Sequence, residues 1–338
     1  MALNTGEFIF VISMAFMLLF AVVSNILVIV CVGKFSRLRT ATNILLANLS
    51  FSDILLAGFV IPQRLHDISH AGNFYEGDVL CKIVNFFPVF VITSSVYSLV
   101  GISFERKRAI MESQKQQLTT FGVLRILPIL WVFSFLISIP AMIEYSVTEQ
   151  YATVTIQATN ETNTTSYTVK TLACGSHLVS FQYGLFNVVF VLLISYVIPL
   201  ALMIKNYAQL VFYIWKKGRQ IGPGNGGRQN FVFYKQRLRL IKMMTFAAVM
   251  FALSWLPYFV VLLTAKIYNQ DGSESAAGFL NMFLIAMATF STTYNVILYT
   301  VFNINFRLAF KKLLLCKKEN TVSVFSVAPA SLYSTNRK

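Results

Sequence analysis

Phe8 to Val32 reads FIFVISMAFMLLFAVVSNILVIVCV, 25 residues without a charge. A helix rises about 1.5 Å per residue, and about 17–25 mostly apolar residues cross the hydrocarbon layer of a bilayer. The stretch therefore predicts a membrane-spanning helix. It is longer than the roughly 7–15-residue apolar core of a secretory signal and has no basic segment ahead of it. It is expected to be a retained signal-anchor that leaves Met1 to Glu7 outside. The same ruler, moved outward along the chain, finds apolar runs at about 42–62, 79–104, 121–143, 178–214, 238–265 and 277–302. Seven spans leave short loops, one long connection before the fifth span, and a tail. The expected architecture is all-α: a seven-transmembrane helix bundle over 1–302, a short amphipathic surface helix over 303–316 and a flexible cytoplasmic tail over 317–338.

Hydrophobic residues make up 56% of the 338-residue chain and charged ones 12%, against roughly 25% charged in ordinary soluble domains. A soluble enzyme does not fit. The formal charge is nevertheless +15, and its meaning depends on where it sits. With the N-terminus outside, the inner segments hold Lys34, Arg37 and Arg39, then Arg106 to Arg125, Lys205 to Lys242 and Arg307 to Lys338, in all 24 of the 28 Lys and Arg residues. The outer segments keep Arg64, Lys82, Lys170 and Lys266, but nine of the 13 acidic residues. That asymmetry is the positive-inside signature. The basic excess reports orientation and an inner surface for membrane lipids and a signalling partner, with no nucleic acid required.

The loop from Tyr151 to Cys174 runs YATVTIQAT and SYTVKTLAC around a polar NETNTT turn. Its β-branched and aromatic residues predict a β-hairpin in the second outer loop. Two glycosylation sequons, at Asn160 and Asn163, fall in that loop; a third, at Asn48, lies inside a span and is discounted. Cys81 opens the third span at its outer end and Cys174 ends the hairpin, so both face an oxidising compartment and are expected to form one disulfide. Cys316 follows a basic, apolar segment inside and is a palmitoylation candidate. Past the seventh span, Phe306, Phe310, Leu313 and Leu314 recur at helical spacing while Arg307, Lys311 and Lys312 take other faces, the pattern of an amphipathic surface helix.

No catalytic constellation is present. The IGPGNGG stretch at 221–227 reads as a flexible turn, and His66, His70 and His177 as solvated loop residues, although His66 and His70 at i, i+4 also have zinc spacing. Ionisable groups inside spans are costly, roughly 2.5–3.5 kcal/mol each on insertion scales. Asp53 is the mid-membrane example. It reads either as a hydrogen-bonded core carboxylate or as part of a polar cluster with Asn25, Ser95, Ser291 and Asn295 able to hold a cation or water, oxygen ligands suiting a hard ion.

The order of these pieces resembles the rhodopsin-like (class A) G-protein-coupled receptors, from Asn25 to Cys316. The matching fragments are Asn25 in SNILV; LANLSFSD with Asp53; Cys81; and FERKRAI, with Glu105 and Arg106. Trp131 marks span four, Pro199 and Tyr207 span five, FALSWLP with Phe251, Trp255 and Pro257 span six, and NVILY with Asn295 and Tyr299 span seven. The chain departs from the family pattern at Val296 for the usual proline, Lys107 for an aromatic, Ser254 for a common cysteine and Phe74 for a frequent tryptophan.

The resemblance implies a non-enzymatic signalling receptor of the plasma membrane, with the N-terminus extracellular and the C-terminus cytoplasmic. An extracellular ligand would shift it toward a state that engages a heterotrimeric G protein. Arg106 would be the inner lock, with Glu105 its resting partner and Tyr207, Tyr299 and Asn295 completing the switch. Val96, Pro199, Phe251, Trp255 and Pro257 would relay the pocket to the sixth helix. No cofactor is implied, beyond sodium at Asp53 as an allosteric ion. Pro88 stands where amine receptors carry an Asp, which disfavours amines, and Thr289 stands where opsins carry the retinal lysine. Peptide receptors of this family often carry the loop hairpin. With the acidic outer face, which draws in cations, this points to a neuropeptide-like, basic or amidated ligand over a floor of Gln63, Asn85, Phe86, Val89, Tyr258, Phe259, Leu262 and Asn281. Arg64 and Lys266 favour the alternative of a lipid or small acidic ligand. Of the readings of another class, a transporter finds no internal repeat or lined path of ionisable groups in its support, whereas a ligand-independent membrane adhesion or scaffold protein stays open on sequence alone.

Overall fold

A computed structural model of the chain describes residues 5–69, 74–112, 118–157, 164–176, 178–220, 228–268 and 278–315. Asn160, Asn163, Cys316, His70 and His177 lie outside these, as does the turn at 221–227. The described chain is mostly helical: α1 (Thr5–Lys34), α2 (Ala41–Ser69), α3 (Asp78–Met111) and α4 (Thr120–Glu144) are followed by a two-stranded hairpin, β1 (Ser146–Gln157) and β2 (Thr164–Gly175). Then come α5 (Phe181–Leu192), a π-helical turn Leu193–Val197, α6 (Ile198–Gln220), α7 (Arg228–Tyr268), α8 (Gly278–Phe302) and the short α9 (Ile304–Leu314).

Among the described residues six segments are long and apolar enough to cross a membrane: those of α1 to α4, the continuous α5–α6 stretch Phe181–Lys216, and Ile241–Thr264 within α7. The 25-residue α8 stands in the seventh position. The helices overrun the apolar runs of the sequence at several ends. α7 begins at Arg228, before the hydropathy rises, because a helix satisfies its own backbone and its polar first turns can stand in water or among headgroups.

Three local devices place the functional residues. Pro199 has no N–H to donate, and just before it the chain takes the π turn. There the Tyr97 hydroxyl donates to the carbonyl of Ile194 at 3.1 Å, and Thr93 and Ser195 share a hydrogen bond of 2.8 Å, pinning the irregular turn to α3. Trp131 Nε1 donates to Asn48 Oδ1 at 3.0 Å, and Asn48 donates to Ser98 at 2.8 Å, so one tryptophan joins α4 to α2 and α3. At Val296 α8 continues unbroken to Phe302, as the absence of proline there allows.

The hairpin lies at one end of the bundle. Its strands pair antiparallel from Ser146 opposite Gly175 to Gln157 opposite Thr164. A disulfide joins Cys174 to Cys81 at the start of α3. Phe74 is buried against Cys81, Val84, Tyr145, Val147 and Cys174, and its N–H donates to the carbonyl of Leu172 at 2.9 Å. Gly77, at φ 85°, makes the left-handed turn that starts α3, a conformation other residues adopt only at a cost. At the opposite, basic end, α9 folds back so that Phe306 and Phe310 are buried, with Phe306 6.1 Å from the Tyr299 ring.

Candidate functional site

A cavity of about 120 Å³ opens among α2, α3, α5 and α7, below the hairpin. It is the size of one side chain or the leading end of a larger ligand. Gln63, Asn85, Val89, Tyr258, Phe259 and Leu262 line it. Phe86 does not: one helical step from Asn85 it turns to α4, where it packs 5.3 Å from Phe135 and 5.7 Å from Phe90. The side chain of Asn281 lies outside the described residues. Arg64, Pro88, Tyr145, Asn187 and Ser195 join the lining, so Pro88 shapes the pocket wall. Asn85 also donates to the carbonyl of Cys81 at 2.9 Å and lies 3.4 Å from the Cys174 sulfur, which couples this wall to the disulfide.

Trp255 forms the cavity floor, and from it a run of rings leads inward. Trp255 lies 6.2 Å from Phe259, Phe259 5.3 Å from Tyr196, and Tyr196 5.7 Å from Phe251. Tyr196 also donates to the carbonyl of Ala252 at 2.9 Å. Pro199 and Val96 are buried beside this run, and Pro257 sits inside α7 one turn from it. Tyr196 joins these rings but is not singled out by the sequence, since one more aromatic in an apolar run carries no signal.

Beneath Trp255, Ser95, Ser291 and Asn295 line a small cavity next to Asp53. Asp53 is 1% exposed. Asn295 donates to it at 3.0 Å and Ser95 reaches its other oxygen at 3.5 Å. Asn25 instead donates to the backbone carbonyls of Thr292 and Ala21, at 2.8 and 2.9 Å. The amide oxygens of Asn25 and Asn295 are buried without a hydrogen-bond partner. A carboxylate, two hydroxyls and an unpaired amide oxygen form the hard-oxygen donor set that suits a monovalent cation or a water, so the residues present fit the sodium expectation.

At the basic end Glu105 is buried, lies 3.7 Å from Arg106 Nε and accepts a hydrogen bond from the Thr42 hydroxyl. Arg106 Nε has no hydrogen-bond partner in the described structure, and neither has the buried hydroxyl of Tyr299. Tyr207 is buried nearby. Lys107 donates to Asn206 at 3.3 Å, and Asn206 to Ser103 at 2.9 Å, tying α3 to α6. Thr42 had no motif to reveal it.

A second missed feature lies beside the ligand cavity. Glu144, counted from sequence among the solvent-facing outer acids, is fully buried and paired to Lys266 at 2.6 Å. Asn187 donates to its other oxygen. Gly184 makes the space, because a Cβ there would stand 2.8 Å from Lys266 Nζ and 3.2 Å from Glu144 Oε1. α4, α5 and α7 are thereby clamped together at the hairpin end.

A bundle of apolar helices with a pocket at the hairpin end, a buried polar cluster midway and a buried Glu105 beside Arg106 at the basic end is the architecture of a heptahelical membrane receptor. The chain belongs to the 7-transmembrane receptor (rhodopsin family), matched over residues 24–299. It is a multi-pass membrane protein of a non-enzymatic receptor family. It is 29% identical to the neuromedin-K receptor of Oryctolagus cuniculus over 86% of this chain and 58% of that one. It is 28% identical to the QRFP-like peptide receptor of Branchiostoma floridae, covering 92% and 78%, and 29% identical to neuropeptide FF receptor 1 of Homo sapiens, covering 89% and 69%. The match thus spans little more than half the length of the neuromedin-K receptor.

Proposed function

We propose that the chain is a plasma-membrane receptor whose hairpin end faces outside, takes a neuropeptide-like ligand, and activates a heterotrimeric G protein at its basic end. The observation that carries this is the unbroken run of rings from the pocket floor at Trp255 to Phe251, beside the polar cluster that leads to Tyr299. A ligand can shift a two-state equilibrium only by binding one state better than the other. An occupant that moves Trp255 or Phe259 strains the contacts of Tyr196 and Phe251, and α7 is free to bend where Pro257 removes a backbone hydrogen bond. Swinging the basic end of α7 would let Arg106 exchange Glu105 for the neighbourhood of Tyr207 and Tyr299, whose unpartnered hydroxyl lacks a bond that an active state can supply.

Sodium at Asp53, with Ser95, Ser291 and Asn295, would hold the resting arrangement. Glycosylation at Asn160 and Asn163 and a lipid on Cys316 beside α9 complete the membrane assignment, the lipid and the basic residues giving two-signal anchoring. The similarity to neuropeptide receptors favours a peptide ligand; the Arg64 lining favours, as the second reading, a lipid or small acidic one. The test is nucleotide exchange on purified G proteins with wild type and Arg106→Ala under peptide and lipid libraries. Ligand-dependent exchange that Arg106→Ala abolishes is the expected result. No exchange under any condition, with no effect of Arg106→Ala, returns the chain to an adhesion or scaffold role.

A further inference from the structure

The acidic residues at the hairpin end favour a basic ligand on sequence alone, but those among them with described side-chain contacts are engaged elsewhere. Five have described side-chain contacts there. Asp67 accepts from Gln63 at 2.9 Å and from Arg64 at 3.0 Å. Glu76 lies 2.9 Å from His66, Asp78 2.6 Å from Lys82 and Glu149 2.6 Å from Lys170. Glu144 is the buried partner of Lys266. None of the five lines the ligand cavity, and among the described lining residues Arg64 is the one that carries a full charge at neutral pH.

A cationic group entering this cavity would find no counter-ion among its described lining residues, and desolvating an unpaired charge costs several kcal/mol. Arg64 offers the opposite chemistry. Asp67 holds its Nη1, which fixes the guanidinium, while its Nε–H is buried without a partner. An unpartnered buried donor is an invitation to an acceptor. The field of Arg64 also reaches the far wall: burial pushes the pKa of the Tyr145 phenol up and so disfavours its ionisation, Glu144 adds to that shift, and Arg64 opposes it. The aromatic floor of Trp255, Tyr258 and Phe259 supplies the apolar seat below.

We propose that the pocket selects a ligand whose buried end is an apolar group carrying a carboxyl-type oxygen, as carboxylate or carboxamide, which accepts a hydrogen bond from Arg64. The inference rests on the receptor reading for its physiological meaning, but its test does not need signalling. Three probes share one aromatic tail and differ at the end: 4-phenylbutyrate, 4-phenylbutyramide and 4-phenylbutylamine. Their affinities are read from concentration-dependent thermal stabilisation of the purified full chain, for wild type, Arg64→Gln and Asp67→Asn.

The two oxygen-ended probes are expected to bind wild type about tenfold or more tightly than the amine, and Arg64→Gln to erase that preference. Asp67→Asn removes the competing carboxylate, so it should tighten butyrate binding several-fold while leaving the amide nearly unchanged, a gain that a folding defect does not mimic. The ratio of butyrate to butyramide tells a carboxylate ligand from an amidated one. Equal binding of all three, preference for the amine, binding by none, or a preference that survives Arg64→Gln overturns the proposal. Loss of G-protein exchange with the probe ranking intact would instead overturn the receptor reading and leave this one standing.

Discussion

The two ends of the bundle are built on opposite terms. At the hairpin end a disulfide joins loop to helix, a buried ion pair clamps three helices, and each acidic side chain with described contacts lies within 3.0 Å of a basic one, although Arg64 Nε, Ser146 Oγ and Asn187 Oδ1 are buried there without hydrogen-bond partners. At the basic end a 3.7 Å contact and one threonine hydroxyl hold Glu105, while Arg106 Nε and the Tyr299 hydroxyl are buried without hydrogen-bond partners. Both ends hold buried polar groups without partners, so what separates them is the cross-link and the closeness of the ion pairs: a charge pair at 3.7 Å lies beyond hydrogen-bond distance and is cheaper to exchange than one at 2.6 Å. On the receptor reading proposed above, this contrast would let the tied hairpin end register a ligand and the more loosely paired basic end respond.

The hairpin end should therefore be the harder one to damage without unfolding. Cys81→Ser or Cys174→Ser opens a link between positions 93 residues apart, which a chain-entropy estimate puts at about 4.6 kcal/mol; the expected outcome is loss of most surface-expressed receptor and the largest fall in Tm. Next comes the buried clamp. Glu144→Gln or Lys266→Met strands one charge, costing about 3–5 kcal/mol, while the double variant removes both and should cost clearly less than the sum. Gly184→Ala, whose Cβ would lie 2.8 Å from Lys266 Nζ, should mimic the single variants. Additive Tm losses in the double variant would show that the pair is not one unit.

At the basic end the same size of change should move signalling more than stability. Thr42→Val deletes the hydroxyl that donates to Glu105, a bond to a charged group worth about 1.5–3 kcal/mol; basal nucleotide exchange should rise several-fold. Tyr299→Phe removes a hydroxyl with no hydrogen-bond partner in this arrangement. It should leave Tm unchanged or raise it, by up to about 1 kcal/mol in stability, while lowering ligand-driven exchange. A large Tm loss in Tyr299→Phe would mean that the hydroxyl is bonded after all, and would erase the contrast between the ends.

The spans were legible because bilayer thickness writes its length into hydropathy, and the hairpin because β-branched residues flank a polar turn. What stayed hidden depended on partners far along the chain. Glu144 carries the same letter as a solvent acid; only the return of α7 beside α4 supplies Lys266 and makes its burial tolerable. Phe86 shows the limit of reading a helix face by neighbourhood, since one residue from Asn85 it points about 100° away, into α4. The polar positions Asn25, Asp53, Ser95, Ser291 and Asn295 were legible because a polar group in a span is costly enough to be informative, although Asn25 turns to backbone carbonyls and reaches the cluster through Thr292.

The smallest effect tests whether the tying at the hairpin end extends to its exposed strands. Glu149 opposes Leu172 and Tyr151 opposes Lys170, so Glu149 and Lys170 are diagonal neighbours on one face, in contact at 2.6 Å. The Lys170 hydrogen bond, then its charge, holds the Glu149 carboxyl below its ordinary range, and the same contact raises Lys170. A lowered carboxyl contributes stability that is present above its unfolded value and lost as pH falls through the folded one. A raised lysine contributes below its unfolded value and loses that as pH rises through the folded one. The pair should therefore act across the neutral range and fail at both extremes, weakly, because solvent and salt screen exposed charges. The Tm difference between wild type and Glu149→Gln should be small near neutrality and vanish once the pH is well below the lowered folded value, where both carry an uncharged side chain. A difference that persists there would assign the effect to packing in the hairpin and confine ionic tying to the buried Glu144–Lys266 clamp.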